Sequence, residues 1–251
     1  MKAKDPYLLT PGPLTTAAET KAAMLHDWGS RDEDFIGTNA RLGVKLVHIA
    51  GATTSHVYVP LQGSGTFIIE ATLTTLIAQG AKSLVLVNGA YGRRMAKILE
   101  KTGRVCAILE TPEDQPNDTA ALDAALAADA AIGHVLCVHC ETTSGLLNPI
   151  EDIAAIVAKR GRRLLIDAMS TFGALPINAR TLPFEAVMAS SNKCLEGVPG
   201  MGFSIIARDA IEAAEGNAQS LSLDLFDQWK TMADNGQWRF TPPTHVIAAL
   251  D

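Results

Sequence analysis

The sequence predicts an α/β fold, a mostly parallel sheet covered by helices on both faces, and three observations point to it. Short β-branched apolar runs alternate with helix-like segments of about ten to fifteen residues. Turns marked by Gly or Asn separate them. Polar residues also gather where successive strands end, at Ser64 to Thr66, Asn88 to Tyr91, Glu141 to Ser144, Asp167 to Thr171 and Ser190 to Lys193. The carboxyl ends of strands are where such sheets bind ligands. With 251 residues, 47% of them apolar, the chain can bury one large core.

In order along the chain, residues 56–61 read as a strand, followed by Gly63-Ser64-Gly65-Thr66 and a helix over 67–78. Residues 83–87 form the next strand, turning at Asn88-Gly89 into a helix that ends near Gly103. A strand at 104–109 and an Ala-rich helix at 119–129, with a Thr/Asp-type start, come next. The strand at 134–139 leads into the loop Glu141-Thr142-Thr143-Ser144-Gly145, and a helix at 150–159 is closed by Gly161. A strand at 163–166 delivers Asp167 at its carboxyl end; 186–189 and 203–207 are further strands. His245 opens a helix-like stretch with no Gly, Pro or polar tail after it, and the expectation is a chain truncated at its C-terminus.

The formal charge of −6 argues against a protein built to grip phosphate backbones. No apolar run has membrane length, and residues 1–13 lack a signal-peptide stretch, which predicts a cytoplasmic protein. Cys137 and Cys140 have C-x-x-C spacing but no second ligand pair, and they end a strand in which residues three apart face opposite ways. Reduced, unpaired cysteines and no metal are the expectation.

Four features carry chemistry. Gly63-Ser64-Gly65-Thr66 precedes an apolar helix, where backbone N–H groups and the helix dipole favour a phosphate, although an ordinary Gly-rich turn reads the same way. The loop is neither a Walker loop nor a dinucleotide fingerprint. Asp167, among apolar neighbours, needs a cation or strong donor, for which a protonated pyridinium nitrogen is suited; the alternative is an Asp capping the next turn. Lys193 follows an apolar strand, as an imine-forming amine or a snorkelling lysine. Tyr91 begins a helix at a strand end and either faces a planar ring or packs on its neighbours.

Leu9-Thr10-Pro11-Gly12-Pro13, Gln62-Gly63-Ser64-Gly65-Thr66, Asn88-Gly89-Ala90-Tyr91-Gly92, Glu141-Thr142-Thr143-Ser144-Gly145, Asp167-Ala168-Met169-Ser170 and Ser191-Asn192-Lys193-Cys194 stand in this order. Together they resemble the class V aminotransferases, pyridoxal 5'-phosphate (PLP) enzymes of fold type I. Met24 to Arg31 and Asn192 to Gly200 narrow the likeness to a branch whose implied reaction converts 2-aminoethylphosphonate and pyruvate to phosphonoacetaldehyde and L-alanine. The resemblance implies that Lys193 carries PLP as a Schiff base and moves the proton, and that Asp167 pairs with the ring nitrogen. It also implies that Ser64, Gly65, Thr66 and Asn192 hold the cofactor phosphate, that Tyr91 stacks on the ring and that Thr143 lies near its hydroxyl edge. Thr241 matches a threonine that reaches the phosphate of a neighbouring subunit, which implies a homodimer. No membrane or nucleic-acid partner is expected.

The implied fold is the large domain of a fold-type I PLP-dependent transferase with a small C-terminal domain largely missing. The expected division is an N-terminal segment at 1–20, a PLP-binding large domain at 21–241 and, at 242–251, the start of a linker helix. In the family the missing domain supplies an arginine for the substrate's acidic group. No residue here takes that role by motif; Arg31 either reaches an anion from the N-terminal segment or, the preferred reading, is a surface arginine. The alternatives are an alanine–glyoxylate or serine–pyruvate type of aminotransferase, an inactive truncated PLP-binding remnant, and a non-catalytic α/β binding protein.

Overall fold

The computed structural model describes residues 5–251. A short helix α1 (Ala18–Ala22) and a 3-10 turn (Ala23–Leu25) precede helix α2 (Glu33–Ile49), strand β1 (His56–Gly63), helix α3 (Gly65–Leu76), strand β2 (Lys82–Val87) and helix α4 (Ala90–Lys101). Strand β3 (Val105–Glu110), helix α5 (Thr119–Ala128) and strand β4 (Ile132–Val138) follow. The small antiparallel pair β5 (Cys140–Glu141) and β6 (Leu146–Leu147) leads to helix α6 (Ile150–Lys159) and strand β7 (Arg163–Asp167). Next come β8 (Ala186–Ser190), β9 (Gly200–Ala207), α7 (Arg208–Glu212), α8 (Leu225–Asn235) and α9 (Thr244–Leu250). Among the described residues no helix is long and apolar enough to cross a membrane.

The main sheet has seven strands in the order β1-β9-β8-β7-β4-β2-β3. β9 alone runs against its two neighbours, and every other adjacent pairing in that sheet is parallel. The strand residues show why the sequence reads as unbroken apolar runs rather than alternating ones. Leu84 and Leu86 of β2 enter one core, while Val85 and Val87 enter the other. Leu164 and Ile166 of β7 face the first core, and Leu165 faces the second. Successive side chains leave opposite faces of a strand, and both faces here are covered by helices.

Four helices go beyond what the sequence patterning predicts, the five-residue α1 and α7 and the longer α2 and α8. α2 carries Gly37, Thr38, Asn39 and Gly43, which weaken its helical signature, yet Phe35, Leu42 and Leu46 line up on one buried face. Gly43 is there because a Cβ would come within 2.8 Å of the Tyr58 ring on β1. α8 starts at Asp224, whose carboxylate accepts from the Asp227 N–H at 3.1 Å, and it ends at the left-handed Gly236.

Phe203 of β9 is fully buried, with its ring 5.3 Å from Phe172 and 5.9 Å from Tyr58. Phe203→Ala is expected to lower the unfolding free energy by about 3–5 kcal/mol through lost transfer energy and the cavity left behind. Urea denaturation checks this, and a loss below about 1 kcal/mol would mean that the core between β9 and α2 is not packed as described.

Candidate active site

Strands β1, β7 and β8, with helices α3 and α4, bring their polar ends to one cavity of about 180 Å³. Ser64, Gly65, Thr66, Ile69, Tyr91, Arg94, Thr142, Met169, Ser190, Asn192 and Lys193 line it. A larger groove of about 380 Å³ between α2, β1 and α8 is mostly apolar and holds only His56 among ionisable groups other than Tyr58. The chemistry therefore concentrates in the smaller cavity.

One end of that cavity is the N-terminus of α3. Ser64 is its N-cap and makes no capping bond through its side chain, so first-turn N–H groups and the Ser64 hydroxyl are not satisfied by each other. A Cβ on Gly65 would stand 2.7 Å from the Met169 sulfur, so a larger residue there would push the Met169 side chain aside. Arg94, one turn along α4 from Tyr91, donates to the Thr66 hydroxyl at 3.2 Å, and its guanidinium lies 4.6 Å from the centre of the Tyr91 ring. A helix N-terminus, two hydroxyls and a guanidinium make this end suited to an anion.

Asp167 closes β7 and is 1% exposed. Its Oδ1 accepts from the Met169 N–H at 3.0 Å, while Oδ2 is buried without a partner in the protein. Burial pushes its carboxyl up from 3.8 to about 6. The Met169 N–H opposes that rise, nearby Glu141 adds to it, and Arg94 and Lys193 pull the other way.

Lys193 sits in the hairpin loop between β8 and β9. The loop is held by the Ser191 hydroxyl, which donates toward the carbonyls of Val198 (2.6 Å) and Met201 (3.1 Å). The Lys193 ammonium donates to the Gly12 carbonyl at 3.2 Å, and a Cβ on Gly12 would strike the lysine stem, so the Pro11-Gly12-Pro13 segment lies directly against it. The Cys194 thiol donates to the Ser170 carbonyl at 3.2 Å, and the Ser170 hydroxyl to the Cys140 carbonyl at 3.0 Å. These two bonds tie the loops after β4, β7 and β8 together.

The structure thus gathers Ser64, Gly65, Thr66, Tyr91, Asn192 and Lys193 around one cavity, with Asp167 beneath Met169. Three expected positions stand differently. Asn88 turns away to bond Asn148 and the Gln115 carbonyl, as a buried structural amide. Thr142 faces the cavity, while Thr143 bonds Glu141 at 3.1 Å. Thr241 is apart from the cavity of its own chain, lining with Ser30, Arg31 and Arg239 a polar pocket of about 320 Å³. Arg94 is a contributor that the sequence reading did not single out, while Gly12 and Glu141 stand in its motifs without a role of their own. An Arg on the exposed face of a helix gives no sequence signal of its own.

A model of the aminotransferase class-V family matches residues 34–250. The chain belongs to the class-V aminotransferases. This class-V aminotransferase is 58% identical over 245 residues to a 2-aminoethylphosphonate–pyruvate transaminase of Pseudomonas putida GB-1, a match covering 98% of this chain and 67% of that protein. It is 55% identical over 247 residues to the transaminase of the same name from Pseudomonas aeruginosa PAO1, covering 98% and 67%. Among solved structures, the pyridoxamine–pyruvate aminotransferase of Mesorhizobium loti superposes with a TM-score of 0.89 at 25% identity, over 99% of this chain and 64% of that one. The aspartate aminotransferase of Thermus thermophilus gives 0.89 at 23% identity, over 98% and 68%, which speaks to the fold.

Class-V aminotransferases imply dependence on PLP, and the residues present fit that group. The unpartnered Asp167 Oδ2 is the acceptor a ring N–H⁺ requires, and the α3 N-terminus suits the cofactor's phosphate. Tyr91 offers an aromatic face, and Lys193 an amine, on the same cavity.

Proposed function

We propose that this aminotransferase moves the amino group of 2-aminoethylphosphonate to pyruvate, giving phosphonoacetaldehyde and L-alanine, with pyridoxal 5'-phosphate as cofactor. The observation that carries the reading is the 54–58% identity to relatives named for that reaction, spread over 98–100% of this chain. Bound in the cavity, the cofactor supplies an electron-withdrawing ring that takes up charge developing on the substrate carbon.

Each side chain then has a role in this reading. Lys193 Nζ would hold the cofactor and, once freed by the substrate amine, would take the proton from the amine-bearing carbon and deliver it to the cofactor; one residue would act as nucleophile and then as base. Asp167 Oδ2 accepts the hydrogen bond of the ring nitrogen and keeps it protonated. Ser64, Gly65, Thr66 and Asn192 bind the phosphate, with the Arg94 guanidinium beside Thr66. Tyr91 stacks on the ring, and the Thr142–Thr143 turn borders its hydroxyl edge. Thr241, standing away from its own chain's cavity, reaches the phosphate bound by a second subunit, so the working unit is a homodimer. The division into a leading segment (1–20), a PLP-binding large domain (21–241) and a linker helix from 242 goes with this reading. A cytoplasmic location is supported by four unpaired cysteines.

The test is a comparison of amino donors with pyruvate as acceptor, reading alanine formed by the PLP-loaded chain. 2-Aminoethylphosphonate is expected to support turnover at least about 10²-fold faster than serine, because serine carries its anion as a carboxylate directly on the amine-bearing carbon and has none where the phosphonate stands, one carbon further on. Equal or faster turnover with serine, or with alanine and glyoxylate, would reassign the donor within the family.

A further inference from the structure

Glu141 is a charged side chain with 0% exposure, and it stands at a place where a carboxylate has a specific task. Helix α4 has Gly89 at its N-cap position, which offers no side chain to cap the first turn. Glu141 supplies the acceptor from 50 positions further along the chain. The Tyr91 N–H approaches its Oε1 at 3.2 Å and its Oε2 at 3.3 Å, and the Gly92 N–H reaches Oε2 at 3.5 Å. A negative charge is favoured at that end of a helix. Glycine at 89 is what lets it in, since a Cβ there would run into the Glu141 side chain.

The same residue organises the opposite loop. Oε1 accepts from the Thr143 hydroxyl at 3.1 Å, and the Glu141 carbonyl accepts from Ser144 N–H (3.3 Å) and Gly145 N–H (2.8 Å), closing the turn that carries Thr142. Its charge also reaches Asp167, adding to the rise that burial causes there. We propose that Glu141 is a positioning residue of the cofactor site, its single carboxylate locking together the two turns that present Tyr91 and Thr142 to the cavity. The inference rests on the cofactor reading above, in which those two turns border the ring. A carboxylate that served only to cap α4 would affect the stability of that helix; one that registers two turns against each other also sets how a bound ring is held.

Titrating PLP into the full chain while following visible circular dichroism, which arises from a ring held in an asymmetric setting, separates the two. Glu141→Ala is expected to raise the PLP concentration at half-saturation about tenfold, as loss of a buried acceptor for several donors would. It should also reduce the visible dichroism per bound cofactor while the far-ultraviolet spectrum stays at its wild-type value. Glu141→Gln, whose amide keeps one acceptor oxygen, should fall between wild type and Glu141→Ala, and it decides the matter alone if the alanine variant does not fold. Wild-type half-saturation and wild-type dichroism per bound cofactor in the folded variants would overturn the inference while leaving the cofactor reading intact. If the wild-type chain itself gives no visible band with PLP, both fall together.

Discussion

Lys193→Ala is expected to abolish the visible absorbance band that PLP gives with the wild-type chain and to lower transamination by roughly 10⁴-fold, since one amine serves as both covalent anchor and proton carrier. The fold should hardly notice. Lys193 is half-buried and makes a single hydrogen bond, to the Gly12 carbonyl, while the loop around it is held by Ser191 and Cys194. The variant should therefore unfold within about 1 kcal/mol of wild type in the absence of cofactor. PLP should still dock through the α3 N-terminus, with the spectrum of the free aldehyde in place of the imine band. Spectra and urea curves of the two proteins check this. A Lys193→Ala protein that keeps the band would place the covalent anchor elsewhere.

Asp167→Asn is expected to act in opposite directions on stability and on activity. The carboxyl titrates at about 6 in the folded chain against an ordinary 3.8, burial being the main cause. Between those two values the folded chain binds more protons than the unfolded one, so stability rises as pH falls from about 6 to about 4. Above that window the buried charge is fully present and costs the cofactor-free chain at most about 3 kcal/mol. The neutral amide removes this cost, so cofactor-free Asp167→Asn should be the more stable protein at pH 7–8, with the gap closing toward pH 4. The same change deprives the ring nitrogen of its anionic partner and should lower turnover on the order of 10³-fold. Thermal unfolding across pH, without and with PLP, reads both effects. A cofactor-free variant less stable than wild type at pH 8 would mean that Asp167 has a partner in the protein for its free oxygen.

Much of this was legible in the sequence, for identifiable reasons. β2, β4 and β7 are buried on both faces, so their apolar runs stand out, and the polar residues at their ends mark the edge of the sheet where the site forms. Asp118 before α5 announces that helix and accepts from the Ala121 N–H at 2.9 Å. What was hidden depends on distance along the chain or on balance. α2 is masked by its two glycines, of which Gly43 makes room for the Tyr58 ring. The antiparallel turn of β9 is invisible because the loop 191–199 hides the hairpin. Glu141 reads as one polar residue in a polar turn; only its approach to Tyr91 across the fold gives it a task. Arg94 reads as an exposed helix charge until Thr66 and Tyr91 are placed beside it.

The central claim, a PLP transaminase for an aminophosphonate, meets its most direct test in a half-reaction. The chain is loaded with PLP, freed of excess cofactor and mixed with 2-aminoethylphosphonate without any keto acid. The account predicts that the visible band decays, that an absorbance of the pyridoxamine form rises at shorter wavelength, and that pyruvate then restores the original band. A band that forms with PLP and persists under saturating 2-aminoethylphosphonate, while alanine or serine discharges it, would contradict the account.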